Sequence, residues 1–488
     1  MTELLVVIVG LGAPGFLLAL AVAGASPVLV FLAPLLGAGL AAVAAVFELG
    51  VGGSLLAWYV VVAVIANVAV VALWLVRVRF PTPADPPWEW SVLTLAVMLL
   101  ALIIPLMALR AELIGGDANS IWLTHALMVS GGHHALVAGL KNPVYSFSNP
   151  DYPPLVPAAG ALAFALFGRG DLHIAPGTTV LLNACALGVA GTGIAALGGG
   201  RRPLTRLAAV AAAGAIGLVG FAVAGQFGVD GYADLLWAAA AVAAVIWGLV
   251  LPRGTQALVV AWVCAGVATL TKNEGLTTGL ALLVLIALRY RPVTLSWVWR
   301  LRRREAGGRF PGVAAWPVIR AWAQRAGFVV VPALPGLVWA GLIRRLGLSD
   351  RFFASPSSET LVLRAHAALD GMAGQLAVAP LAAAVLVAGC CLLRRDRERA
   401  GLGNPAWLWL SCLASLLTIF ATYVFGGFEI YGWLAYSVNR TTIFAQLLLY
   451  AELAIWLVIA LDTAFTGERT EQRNVTPDAV SVAAGPRS

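Results

Sequence analysis

The amino-acid sequence predicts an all-α polytopic membrane protein, and three observations carry that prediction. Of the 488 residues, 61% are hydrophobic and only 11% are charged, against roughly 25% charged in an ordinary soluble domain. The mean hydropathy of +0.91 is far above that of chains too polar to collapse, so a disordered protein is excluded as well. The apolar residues also fall in windows of about 20, the length of a helix that crosses a bilayer.

These windows lie at 4–24, 27–48, 54–76, 91–109, 175–198, 206–224, 232–251, 256–271, 275–288, 327–343, 374–393, 405–425 and 442–461, giving about 13 transmembrane helices. A shorter apolar stretch at 154–168 begins Pro-rich and reads as a short re-entrant or interfacial helix. No basic region precedes the first apolar run, so it reads as a retained span and not as a cleaved signal. The windows divide the chain into an N-terminal three-helix transmembrane module (1–76), a main transmembrane domain (77–461) with a long outer loop at 110–174, and a polar, disordered cytoplasmic tail (462–488).

The net charge of +8 is a matter of orientation. Lysine occurs only at 141 and 272, and all other basic residues are Arg. Nine Arg fall between 289 and 325, and four more in Arg394–Arg399. Such clusters mark cytoplasmic loops, so the excess speaks for membrane lipids and against nucleic acid as the partner. Walking outward from them places 110–174, 225–231, 272–274, 344–373 and 426–441 on the outer side. The four Arg of Arg344–Met372 sit awkwardly there. The five Cys (185, 264, 390, 391, 412) lie in apolar runs without metal or redox spacing and read as small core hydrophobes.

Polar residues gather on the outer face. The long loop carries Asp117, Asn119, His125, His133, His134, Lys141, Asp151 and Tyr152; residues 118–128 have the spacing of an amphipathic interfacial helix with Asp117 as its N-cap and His125 at headgroup level. Shorter loops add Asp230 and Asp234, then Lys272, Asn273 and Glu274, then Glu429 and Arg440. Both lysines are on this face. A carboxylate there can take the proton of an acceptor hydroxyl, and Lys and Arg can hold a phosphate, so the set suits cleavage of a sugar–phosphate ester of a lipid carrier.

With those residues in view, the chain resembles the GT-C class of membrane glycosyltransferases. The resemblance rests on GGDANSIWLTHA around Asp117, NPDYPPLVP at 149–157, GYADLL, LTKNEG and SVNR, in that order between residues 110 and 445. It implies an inverting transferase that uses a polyprenyl-phosphate sugar and a lipid or glycan acceptor, with Asp117 as general base. Lys272 and Arg440 would hold the donor phosphate, with Lys141, His133 and His134 as second choices. Asp151 and Tyr152 would shape the pocket; Asp230, Asp234, Asn273, Glu274 and Glu429 complete the candidate substrate-binding set. Where several members of the class show two adjacent acids, Asp117 has Gly116 and Ala118 beside it. No cofactor is called for, a divalent metal is left open, and the adjacent His133 and His134 are poorly spaced for zinc. The abundance of Arg and Ala points to a GC-rich bacterium and its cytoplasmic membrane, with mannose or arabinose as plausible sugars. The rival expectations are a transporter or lipid-linked sugar flippase, to which mid-span acids such as Glu452 would belong, and a non-catalytic subunit of a polysaccharide assembly.

Overall fold

The structure, a computed structural model, describes residues 2–75, 88–107, 116–168, 171–290, 315–348, 358–399 and 401–474, and these are helical with no β-strand among them. The basic stretch at 289–325 lies largely outside the described residues, as do Arg77, Arg79, Arg110 and the chain beyond 474.

Small residues set how closely the first helices approach. Helix α1 (Thr2–Ala23) and α2 (Val28–Val51) form an antiparallel pair. A β-carbon on Gly37 would run into the carbonyl of Leu11, and one on Gly15 into that of Ala33. Ala33 and Gly37, four apart, make the small-xxx-small spacing that lets membrane helices meet backbone to backbone. Helix α3 (Leu55–Leu75) turns Val60, Val64, Ile65 and Val68 outward, the apolar surface a bilayer would cover.

The centre is built from α7 (Leu155–Phe167), α8 (Ile174–Ala196), α11 (Asp234–Val245, extended as a π-helical turn to Val250) and α12 (Thr255–Thr269). Every residue of α11 is buried, which its run of alanines permits without voids. The N-terminal helices share this core: the Phe31 ring lies against Gly188 of α8, and Gln256 at the start of α12 donates to Ala23 O at 2.7 Å.

Eight helices are long and apolar enough to cross a membrane, or up to nine if a bent pair counts as one span. The chain is thus a multi-pass membrane protein of fewer full-length spans than the expected 13, counted among the described residues. The difference lies in length. The segments at 88–107, 234–250 and 255–269 form helices where expected, but their apolar parts are only 10–17 residues long, and 155–167 is the short helix expected there. The bent pair, α15 (Ser358–Gln375) and α16 (Ala379–Leu392), turns by 68° and replaces part of the expected outer loop 344–373. The last helix, α20 (Ile443–Asn474), continues past the expected end at 461 because its polar extension is rich in helix-forming Glu, Arg and Gln.

The bundle has two ends. At one, Arg201 Nη1 meets Asp462 Oδ2 at 2.7 Å, and Gly403 N donates to Val250 O at 2.8 Å. At the other, His133 N donates to Gly53 O at 3.2 Å, and Leu155 N to Leu270 O at 3.0 Å. The segments expected on the outer side gather at this second end. Cys185, Cys264 and Cys412 are buried as expected, whereas Cys391 is exposed on the outside of α16, where an apolar sulfur is tolerated.

The contact between α1 and α2 should be sensitive to a single methyl group. Gly37→Ala is expected to destabilise the protein by about 2 kcal/mol, the cost of an overpacked contact. Gly39→Ala, whose new β-carbon meets nothing within 4 Å, should leave the thermal midpoint in detergent unchanged or slightly raised. Equal midpoints for the two variants would show that the close contact does not govern packing.

Candidate functional site

Five separate segments converge at the second end. Asp117 precedes a π-helical turn (Ala118–Leu123) that runs into α5 (Thr124–Ser130). Asp151 and Tyr152 follow Asn149, whose left-handed backbone (φ 50°) suits asparagine. Asp234 opens α11 after a turn in which Gly231 has φ 87°; a β-carbon there would also strike Pro176. Lys272, Asn273 and Glu274 form the corner between α12 and α13 (Asn273–Tyr290), and Arg440 closes α19 (Ile430–Thr441). The bond from Leu155 N to Leu270 O ties the Asp151 turn to the Lys272 corner.

At the centre is Asp234, fully buried. Its Oδ1 accepts from Lys272 Nζ at 2.7 Å, and its Oδ2 from Arg440 Nε at 3.1 Å and Nη2 at 3.0 Å. Arg440 then reaches outward: its Nη1 donates to Asp117 Oδ2 at 2.6 Å. The guanidinium packs against a pair of aromatic rings that meet edge to face, with Tyr232 at 4.7 Å and Phe227 at 5.3 Å. The Tyr232 hydroxyl accepts from Asp117 N at 3.3 Å. A second, parallel contact holds the other side: Tyr152 stacks on Trp122 with centroids 5.2 Å apart, and Lys272 Nζ stands 5.6 Å over the same Tyr152 ring.

Charge in this cluster is unbalanced. Asp117, Asp151, Asp234 and Glu274 face two cations, Lys272 and Arg440. Burial alone would lower the Lys272 ammonium, but the Asp234 and Glu274 carboxylates outweigh it and hold its pKa above the ordinary lysine value. Burial pushes the Asp151 carboxyl above the ordinary carboxylate range, against the pull of the Asn273 amide, whose Nδ2 donates to Oδ2 at 2.6 Å. The Asp117 side chain is 38% exposed and that of Asp234 not at all, which makes Asp117 the accessible acid of the pair bound to Arg440. Hydrogen-bond arithmetic leaves donors over. Arg440 uses three of its guanidinium hydrogens on carboxylates, and a guanidinium has five.

The structure thus brings together Asp117, Asp151, Tyr152, Asp234, Lys272, Asn273, Glu274 and Arg440. Asp234 stands there in a different part from the one expected: as a buried anion it anchors the two cations. The expected N-cap role of Asp117 is not made, because its side chain turns to Arg440 and caps no helix. The segment after it is not an interfacial helix either, since Ile121, Trp122 and His125 are buried in the bundle. His125 is 3% exposed, with Nε2 3.0 Å from Ser148 Oγ.

Other nominees lie elsewhere. Lys141 is exposed at the end of α6 (His133–Lys141). His133 Nδ1 is 2.8 Å from the carbonyl of Glu48, and His134 is exposed beside it. Asp230 is half-buried and its carboxylate takes none of the bonds of the cluster. Exposed Glu429 caps α19, accepting from Tyr431 N and Gly432 N at 2.9 and 2.5 Å. Among the described residues no group of three or more His, Cys, Asp or Glu is placed to hold a metal. The residues not nominated from the sequence were Tyr232, Phe227 and Trp122; for the first two, aromatics close before an acid at a helix start were the available signal.

Asp234→Asn leaves two buried cations short of a counter-charge and should cost about 3 kcal/mol or more. Combining it with Lys272→Met should cost less than the sum of the single changes in thermal unfolding, and strict additivity would deny the coupling. For His125, burial lowers the imidazole from 6.5 to about 4. The fold therefore accepts the neutral ring: its stabilisation is complete above the ordinary pKa and is lost as the pH falls through about 4. Between pH 7 and pH 4 the thermal midpoint should drop more steeply in wild type than in His125→Gln, and parallel curves would rule the ring out as a contributor.

No protein-family profile, curated protein or solved structure matches the chain, so the chemistry of this site is argued from its own residues.

Proposed function

We propose that the protein is a glycosyltransferase that moves a sugar from a polyprenyl-phosphate donor to a hydroxyl of a lipid or glycan acceptor. The observation that carries this reading is the Asp117–Arg440–Asp234–Lys272 chain of ion pairs. It sets a partly exposed carboxylate beside a guanidinium and an ammonium that retain unused donors. In the proposed reaction Asp117 takes the proton of the acceptor hydroxyl as its oxygen attacks the anomeric carbon. The bond from that carbon to the phosphate oxygen breaks on the opposite side, so the configuration inverts. The phosphate leaves on its lipid with the bonding electron pair, and the free N–H groups of Arg440 and Lys272 stabilise the charge it gains. The GT-C-like order of the five segments along the chain supports the same reading. On it, the site faces the outer side of a bacterial cytoplasmic membrane, and the sugar is a hexose or pentose such as mannose or arabinose.

One observation favours a transporter or flippase instead. Two acids are buried inside spans: Glu48 of α2, whose carboxylate oxygens have no partner among the described residues, and Glu452 of α20, which accepts from Trp409 Nε1 at 3.1 Å. Buried intramembrane acids commonly serve ion or substrate paths. Sugar transfer in detergent, where no second compartment exists, separates the two readings. Within the transferase reading, Asp117→Asn should lower turnover by about a thousandfold, within the range for removal of a general base, while polyprenyl-phosphate binding persists. Wild-type turnover in that variant would reject Asp117 as the base.

A further inference from the structure

Three buried polar atoms of the site have no partner among the described residues: Asp151 Oδ1, Glu274 Oε2 and the indole Nε1 of Trp122. Folded proteins rarely leave such atoms unpaired, so each calls for an explanation. None results from a loosely held side chain. Asp151 is fixed through its other oxygen by Asn273, Glu274 through its other oxygen 3.5 Å from Lys272 Nζ, and Trp122, only 3% exposed, by its stack on Tyr152. Chain geometry puts them on one wall, because Asp151 and Tyr152 are consecutive, Lys272 to Glu274 are consecutive, and the Lys272 ammonium lies over the Tyr152 ring.

The chemistry of the wall selects its ligand. It offers two acceptors and one donor beside aromatic surface, which matches a ring that carries several hydroxyls. It does not match an anion: the two acceptors on it, Asp151 and Glu274, are carboxylates, which repel one. We propose that this wall is the sugar subsite of the donor, where ring hydroxyls of a neutral sugar donate to Asp151 Oδ1 and Glu274 Oε2 and a ring oxygen accepts from Trp122 Nε1. The assignment rests on the transferase reading and narrows it: the transferred sugar is a polyol without an acid group. Asp151 and Glu274 thereby set specificity, a part separate from that of Asp117 and the phosphate-binding cations.

Binding of synthetic lipids to the full chain in detergent tests this without knowledge of the acceptor. Wild type should bind polyprenyl-phosphate mannose or arabinose about tenfold more tightly than bare polyprenyl phosphate, the fold-change expected of hydrogen bonds to a charged acceptor. Polyprenyl-phosphate glucuronic acid should bind no better than the bare lipid. In Asp151→Asn and Glu274→Gln the sugar-dependent gain, read as the ratio of sugar-lipid to bare-lipid affinity within each variant, should fall to within about twofold, as each loses its charged acceptor, while the thermal midpoint in detergent stays near the wild-type value and reports an intact fold. A gain that persists in both variants, or tight binding of the glucuronic acid lipid, overturns the subsite. Failure of every polyprenyl phosphate to bind wild type overturns the transferase reading itself, so the two failures are told apart.

Discussion

The placement of the whole site depends on one buried carboxylate. Asp234 has no exposure, and two cations from distant parts of the chain, Lys272 and Arg440, converge on its two oxygens. Removing an ion from water into such a place is costly, and only close pairing makes it tolerable. That constraint locks the start of α11, the corner between α12 and α13, and the end of α19 into one arrangement. Asp117 is then positioned indirectly: it takes up a remaining guanidinium hydrogen of an Arg440 already held by Asp234 and packed against Tyr232 and Phe227.

Helix positions were legible in the sequence because lipid imposes a length and a polarity that composition cannot hide. The window at 405–425 became Ala406–Phe425, and that at 175–198 became Ile174–Ala196. What was not legible was α15. Its sequence mixes Arg364, His366 and Asp370 with Leu and Val, and no window of span length stands out. Arg364 also explains the awkward place of one of the four Arg expected on the outer side. It is buried and donates to the carbonyls of Tyr423 and Val424 in the last turn of α18 (Ala406–Phe425) and of Phe428 just beyond it. An arginine that closes a helix end is spent on structure, so it carries no information about which side of a membrane it faces.

The site was half legible for a related reason. Sequence reveals which polar residues the membrane environment fails to explain, and Asp117, Asp234, Lys272 and Arg440 were among them. Pairing is a property of three dimensions and was not revealed: 206 residues separate Asp234 from Arg440. Local rules misled where a distant partner outcompeted a near one. Asp117 stands where an N-cap belongs, yet the guanidinium of Arg440 offers its carboxylate a stronger, charge-assisted bond than a backbone N–H would. The reverse holds for Glu429, which found no distant cation among its bonds and kept the local cap.

Because Arg440 is shared between Asp117 and Asp234, the two parts assigned to the site in the proposed reaction are not independent. A phosphate that binds the guanidinium competes for the same positive charge that holds the Asp117 carboxylate. As the phosphate draws on that charge, the bond from Arg440 Nη1 to Asp117 Oδ2 weakens, and the carboxylate is freed to turn to the acceptor hydroxyl. Asp234 cannot yield in its place, since it is buried and satisfied from both sides. On this reading donor binding itself releases Asp117 toward the acceptor hydroxyl, and it does so without any movement of the backbone. The buried triad supplies the rigid side of that exchange, and the partly exposed acid supplies the side that responds.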